Sequence, residues 1–206
     1  KALTPVLERP DVVSNLGNSA NAGILGDTLN VTAAAISNAG TLQGNNGVTI
    51  SASGLLDNTG NLLSAVATRD VSLTLGSLNN SGIIQSAGDL AIVSTTTAVN
   101  TGSLLAQDAA GSFSLQANSI NNSGSVQGAG TMALTAQTGA LDNTGTILAT
   151  DNLHASVATA LNNTGAGSKI VANGDVRIDT TASSFTLNND GGIGAAQALL
   201  IGSNTN

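Results

Sequence analysis

The tripeptide Asn-x-Gly recurs about every 20 residues along this chain of 206 residues. An aliphatic residue stands two positions before the Asn in most copies, as in the segment Leu56-Asp57-Asn58-Thr59-Gly60. A period near 20 is typical of stacked repeat proteins, in which each unit buries its apolar side only against its neighbours. The asparagines of the pattern are Asn21, Asn38, Asn58, Asn80, Asn100, Asn122, Asn143, Asn163 and Asn189, and the glycines are Gly23, Gly40, Gly60, Gly82, Gly102, Gly124, Gly145, Gly165 and Gly191.

A second recurring segment alternates apolar and polar residues, for example in residues 29–33, 48–52 and 71–75. Alternation with many β-branched residues predicts a half-buried strand whose first, third and fifth residues face inward. No segment keeps a helical period, and Glu8 is the only glutamate. We therefore predict an all-β fold, a right-handed parallel β-helix (β-solenoid) of about nine coils of 20–22 residues. It would span residues 21–206, with residues 1–20 as an irregular leading segment or end cap.

The recurrence of Asn and Gly has a structural interpretation. Alternation places Leu56 and Asn58 on the same, inward side of a strand, where an Asn can hydrogen-bond to the Asn of the next coil and to turn backbone. The Gly two residues later is expected to adopt the positive φ of a sharp corner. The 26 residues between Asn163 and Asn189 predict an insertion around residues 180–185.

Composition excludes several partners and sites. Net charge is −7, only 8% of residues are charged, and the five basic residues are scattered. Binding to nucleic acid or to anionic lipid is therefore not expected, because both depend on clustered basic residues. There is no cysteine and no apolar run long enough to cross a membrane, so we expect neither a thiolate site nor direct membrane insertion. No cofactor and no metal site are predicted.

The repeat resembles the haemagglutinin repeats of filamentous haemagglutinin and of the CdiA-type exoproteins of contact-dependent growth inhibition. The segments that carry the resemblance are 56–63, 78–84, 120–126 and 141–147, with looser copies between Asn21 and Gly191. The resemblance implies a β-helical shaft of a bacterial surface exoprotein that is exported by two-partner secretion. Its implied partner during export is an outer-membrane transporter of the two-partner type, and its implied location is secreted or at the bacterial cell surface.

Three groups of polar residues could form a chemical site, and each also has a structural interpretation. The lone His154, near Asp151 and Ser156, is predicted to be a solvated residue on an outward strand position rather than a catalytic base. Asp57 and Asp142 are about 19 Å apart by coil count, too far for a glycosidase pair. Aspartates before the alternating strands could share a cation, but Asp is also a common turn residue; they are Asp70, Asp89, Asp108, Asp151 and Asp175.

The sequence thus favours a structural shaft segment without enzymatic activity, cut from a longer polypeptide, which holds distal adhesive or toxic modules away from the cell. The alternative is a segment that binds a glycan or a receptor on a host or neighbouring cell through its outward hydroxyls. Exposed strand edges at the ends predict end-to-end self-association. The outward hydroxyls are Thr32, Thr49, Ser51, Ser72, Thr74, Ser114, Thr135 and Ser156; the series is interrupted by Ala91, Val93, Ala133, His154 and Arg177.

Overall fold

The computed structural model describes residues 6–8, 12–15, 23–180 and 182–203. These residues form 26 strands and, within those ranges, no helix. Every strand pair is parallel; each inner strand pairs with the equivalent strands of the coils before and after it, and each end strand pairs with one. The strands stack in about nine turns, so the predicted all-β solenoid is confirmed.

Each coil contributes strands to three rows that run along the stack. The alternating row contains β1 (Val6–Glu8), β4 (Leu29–Ala33), the first half of β7 (Val48–Asn58), the first half of β9 (Val71–Asn80), β11 (Leu90–Ser94), β14 (Ser112–Ala117), β17 (Thr131–Ala136), β20 (Leu153–Val157), β23 (Val176–Thr180) and β26 (Leu199–Ser203). The asparagine row contains β2 (Val12–Asn15), β5 (Ala35–Asn38), the second halves of β7 and β9, β12 (Thr97–Asn100), β15 (Ser119–Asn122), β18 (Leu141–Asn143), β21 (Ala160–Asn163) and β24 (Thr186–Asn189). The third row contains β3 (Gly23–Gly26), β6 (Thr41–Gly44), β8 (Asn61–Ser64), β10 (Ile83–Ser86), β13 (Ser103–Ala106), β16 (Ser125–Gly128), β19 (Thr146–Ala149), β22 (Lys169–Ala172) and β25 (Gly192–Ala195).

Strand alternation decides which side chains form the core. In β4 the residues Leu29, Val31 and Ala33 are buried, while Thr32 is exposed, as the sequence pattern predicts. The same inward column continues from coil to coil because the registers align equivalent residues, such as Leu73 with Ile92. The core is thus one continuous stack of aliphatic side chains rather than a central cluster.

Phe113 is the one aromatic side chain that lies fully inside this narrow core. Gly128 makes room for it, since a Cβ at Gly128 would lie 3.3 Å from both the Phe113 Cβ and the Met132 Cε. The equivalent position in the flanking coils is Ala106 and Ala149, both buried. A large residue in one row is therefore matched by the loss of a methyl group in another.

Two features differ from the predicted organisation. Part of the leading segment 1–20 continues the solenoid, because β1 pairs with β4 and β2 pairs with β5; its other residues lie outside the described chain. The extra length of the last coil is also divided between two connections. One is the predicted region before β24, and the other is the corner 164–168, which replaces the two-residue corner of earlier coils.

Candidate functional site

The inward asparagines of the asparagine row form an unbroken hydrogen-bonded ladder. In each rung the side-chain Nδ2 donates to the Oδ1 of the Asn in the next coil, at 2.7–2.8 Å. The same Nδ2 also donates to a backbone carbonyl of the next coil, as Asn122 does to Thr146 at 3.3 Å. These asparagines are at most 3% exposed between Asn38 and Asn163. Their amides are therefore satisfied inside an otherwise apolar core, which is where an unpaired polar group would be costly.

The first rung of the ladder is Asn15, which was not among the asparagines predicted from the sequence. Asn15 pairs in register with Asn38 and donates to its Oδ1 at 2.7 Å. The segment Val13-Ser14-Asn15-Leu16-Gly17 carries the full motif, and its distance of 23 residues from Asn38 fits the period better than Asn21 does. Asn21 itself lies outside the described residues.

The last rung, Asn189, lies in a different environment. It accepts a hydrogen bond from Asn163 at 2.7 Å, but its side chain is exposed. The neighbouring residues Leu187, Leu199 and Ile201 are 36–46% exposed, although equivalent residues in earlier coils are buried. The final coil therefore presents part of the core and the end of the ladder at its surface.

The corner glycines have a different role from the predicted one. Of these glycines only Gly165 has a positive φ, at 96°, so the expectation of left-handed corners is wrong for the others that the structure describes. At Gly60, Gly82, Gly102, Gly124 and Gly145 a Cβ would instead collide with the carbonyl oxygen of the corner Gly in the preceding coil, closer than 3.0 Å. Glycine is needed because the corner backbones of successive coils stack in direct contact.

A second column of polar side chains lies on the outer side of the same strands. Asn79 donates to Asp57 Oδ1 at 2.7 Å, and Asn188 donates to Asn162 Oδ1 at 2.7 Å. Asn162 donates to Asp142, and Asn121 reaches Asp142 Oδ2 at 3.0 Å once its amide is oriented to satisfy the network. Val99 interrupts this outer column between Asn79 and Asn121. Asp57 and Asp142 are thus separated by four coils, as predicted, and each is bound to amides.

The aspartates of the turns before the alternating row mainly cap backbone of the next coil. Asp70 Oδ1 accepts from the Asp89 N–H at 2.9 Å, and Asp89 Oδ1 accepts from the Ser112 N–H at 2.7 Å. Asp175 does the same for the Ala198 N–H at 2.9 Å, whereas Asp108 caps its own turn through Ala110 at 3.0 Å. Within the described ranges no three His, Asp or Glu side chains lie close enough to hold a metal ion.

His154 belongs to an ionic cluster with Arg177 and Asp179 that was not predicted from the sequence. Its Nε2 lies 2.9 Å from Asp179 Oδ2, and Arg177 Nε donates to the same oxygen at 2.6 Å. Burial alone would raise the pKa of Asp179, but the hydrogen bonds from Arg177 and His154 outweigh it and hold that pKa below its ordinary value. The cluster could have been found by aligning the alternating segments 153–157 and 176–180. That alignment places His154 beside Arg177 and Ser156 beside Asp179.

The outward hydroxyls of the alternating row form a regular patch only near the start of the stack. Thr49 aligns with Ser72, and Ser51 aligns with Thr74, and all four side chains are exposed. Further along, Ala91, Ala133, His154 and Arg177 take equivalent positions. The patch can offer hydrogen bonds to a polar ligand, but it is flat and spans only a few coils.

The described residues contain no helix of the length and apolarity that a membrane crossing requires. Comparison of the chain with protein-family models gave no match, and comparisons with curated proteins and with solved structures gave none either.

Proposed function

We propose that this chain is a structural shaft segment of a large secreted bacterial surface exoprotein, an adhesin or a carrier of a growth-inhibition effector. The observation that carries the proposal is the unbroken asparagine ladder, which joins every coil from Asn15 to Asn189. Each coil is held to its neighbours by parallel strand pairing, by the ladder and by aliphatic stacking. Such a rod keeps its ends apart at a separation set by coil number, about 4.8 Å per coil.

The non-enzymatic assignment is part of the proposal. The described chain supplies aspartates that are bound to amides or backbone N–H groups, and one histidine on an exposed strand that is paired with Asp179. A general base or nucleophile needs a free, oriented partner next to a bound substrate. Activity on pectin-like polymers would contradict this part of the proposal.

The experiment is an in-phase deletion of two coils. Removal of residues 81–122 joins Asn80 to Ser123 and recreates an Asn-Ser-Gly corner, so the ladder remains continuous. Small-angle scattering should show a maximum dimension shorter by about 10 Å, with an unchanged β-type circular dichroism spectrum. Placed between an outer-membrane anchor and a distal reporter, the deleted chain should bring the reporter closer to the cell. A deletion out of phase, such as 81–112, should instead unfold the rod.

A second candidate function is binding of a glycan or a receptor through the alternating row. The observation in its favour is the exposed, aligned group Thr49, Ser51, Ser72 and Thr74. Binding to a glycan array or to cells that is lost in the Thr49→Ala/Thr74→Ala variant, and kept in Thr146→Ala on the third row, would favour this function over a purely mechanical one. The shaft proposal has two further parts. The chain is exported through a two-partner transporter, and it associates end to end through the exposed strands of its last coil.

A further inference from the structure

The outward side of the third row carries a column in which leucine and glutamine alternate from coil to coil. These residues occupy the third position of successive strands, and the strand register aligns each with the next. At an outward strand position a polar residue is usual, so a leucine in every second coil, exposed at Leu25 and half-buried in the later coils, is a feature to explain. The column is Leu25, Gln43, Leu63, Gln85, Leu105, Gln127, Leu148 and Val171.

The third row is also the face that lacks acidic residues. Its described strands carry one charged side chain, Lys169, in a chain whose net charge is −7. Carboxylates occur on the outer sides of the other two rows, at Asp57, Asp142 and Asp179. They also line the turns between the third row and the alternating row, at Asp27, Asp70, Asp89, Asp108, Asp151 and Asp175. A second copy of this anionic chain meets the least repulsion at the third row.

We propose that two copies of this chain associate side by side through their third rows, parallel and in register, about a two-fold axis that runs along the rod. In this arrangement leucines lie against leucines, and glutamine amides lie against glutamine amides, which can donate and accept in pairs. A shallow depression between Leu105 and Leu148, lined by Gln127 and Gly128, opens on this face and gives room for a facing side chain.

Charge selects the parallel orientation. Lys169 lies at the edge of the third row next to the glycine corner, where Asp190 is the only carboxylate of the described residues, and the six acidic turns lie at the opposite edge. A two-fold axis along the rod exchanges these edges, so Lys169 of each copy approaches the turns that contain Asp151 and Asp175 in the other. An antiparallel pair would instead place the two acidic edges against each other.

The area of the face is sufficient for a weak specific dimer. Nine strands at about 4.8 Å spacing and four residues at about 3.3 Å each give a face of about 40 by 13 Å. Two such faces bury about 1,000 Å² in total, which is at the lower end of specific interfaces. We therefore expect a concentration-dependent dimer rather than an obligate one.

Sedimentation of the full chain tests this surface. The unchanged protein should show a monomer–dimer equilibrium, and Leu105→Glu should raise the dissociation constant at least tenfold because it places two carboxylates in contact. Thr135→Glu, an outward change of equal charge on the alternating row, should leave the equilibrium unchanged. Leu105→Gln, which copies Gln85 and Gln127 and so preserves the fold, should weaken the dimer less. A monomer at all concentrations, or equal weakening by Thr135→Glu, would overturn the proposal.

A cross-link tests the orientation, since the chain has no other cysteine. Under mild oxidation Leu63→Cys should form a disulfide-linked homodimer much faster than Thr135→Cys, because residue 63 faces residue 63 in the parallel pair. Leu105 lies on the middle strand of the nine and would face itself in either orientation, whereas an antiparallel pair over the full face sets residue 63 against residue 148. Mixing Leu63→Cys with Leu148→Cys should therefore give mainly the two homodimers, and preferential formation of the 63–148 heterodimer would show an antiparallel pair and refute the parallel arrangement.

Discussion

Two columns of polar side chains run along the asparagine row, one facing the core and one facing solvent, and they occupy adjacent residues of the same strands. The inner column is an uninterrupted series of Asn, each at most 3% exposed between Asn38 and Asn163. The outer column mixes Asp and Asn and is broken by Val99, although it forms hydrogen bonds of similar length. Hydrogen-bond distance is thus similar in the two columns, and burial is what differs. A buried amide has no water to replace a lost partner, so only the inner column is restricted to one residue type.

The corner that supports the inner column should be the most sensitive position. Gly124→Ala places a Cβ against the Gly102 carbonyl oxygen, with backbone rather than a mobile side chain in the way. We expect a loss of about 3 kcal/mol or more in the free energy of unfolding, measured by chemical denaturation. Gly167→Ala is the control, because nothing lies within 4 Å of its Cβ position. Equal losses in the two variants would show that close stacking is not the reason for glycine.

The inner and outer columns can be compared directly with a pair of neighbouring substitutions. Asn122→Ala removes the hydrogen bonds to Asn100 and Asn143 and leaves both of their amides with an unpaired group. Each unsatisfied group costs about 1–3 kcal/mol, and in a repeat array the loss of hydrogen-exchange protection should concentrate in the affected coil and its neighbours. Asn121→Ala, one residue away on the outer side, should cost less than about 1 kcal/mol. If both variants keep protection across residues 120–127, burial is not what distinguishes the columns.

An ionic contact on the outer surface should respond to pH, whereas the inner amides should not. The pKa of Asp179 is held below its ordinary value, so its stabilising contribution is present at pH above the unfolded-state pKa and is lost as pH falls through the lower folded-state value. We expect the unfolding free energy to decrease in that acidic range, by about 1 kcal/mol or less because the His154 and Arg177 side chains are half exposed and water screens the contact. Asp179→Asn should remove this part of the pH dependence, while Asp142→Asn should retain it. If the unfolding free energy depended on pH in the same way in the unchanged protein, in Asp179→Asn and in Asp142→Asn, the acid-sensitive contribution would not come from Asp179.

Completing the outer column should have the smallest effect. Val99→Asn places an amide between Asn79 and Asn121, where the register already aligns all three residues. Because the site is half exposed, we expect a gain of less than about 0.5 kcal/mol in unfolding free energy, with no change in hydrogen exchange beyond the adjacent coils. A gain in unfolding free energy as large as the loss caused by Asn122→Ala would contradict the conclusion that burial makes the inner column the more important one.

The sequence was sufficient to predict the rows and the ladder because both follow from periodicity. Alternation sets which side chains face inward, and the 20-residue period aligns Asn with Asn. The reason for the corner glycines was not accessible, because it depends on the distance between backbones of different coils. The contact of His154 with Asp179 was missed although the alternating segments 153–157 and 176–180 align in the sequence, because it runs diagonally, from His154 to the residue two positions beyond its register partner Arg177. Asn15 was recoverable from its motif, but Pro5 and Pro10 break the repeat pattern in residues 1–20, and for that reason the segment was predicted to be irregular.

The asparagine ladder also has a direction. Every side-chain Nδ2 between Asn15 and Asn163 donates to the rung that follows it in the chain, so the amide dipoles point the same way through the whole stack. A growing stack therefore presents a donor to each incoming coil, and that coil satisfies it only when its Asn offers the carbonyl oxygen and takes the same orientation. Assembly is consequently templated and polar, much as a filament grows by adding subunits in one orientation. Two stacks that met by their donor ends would leave buried N–H groups facing each other, and the ladder would select against that junction.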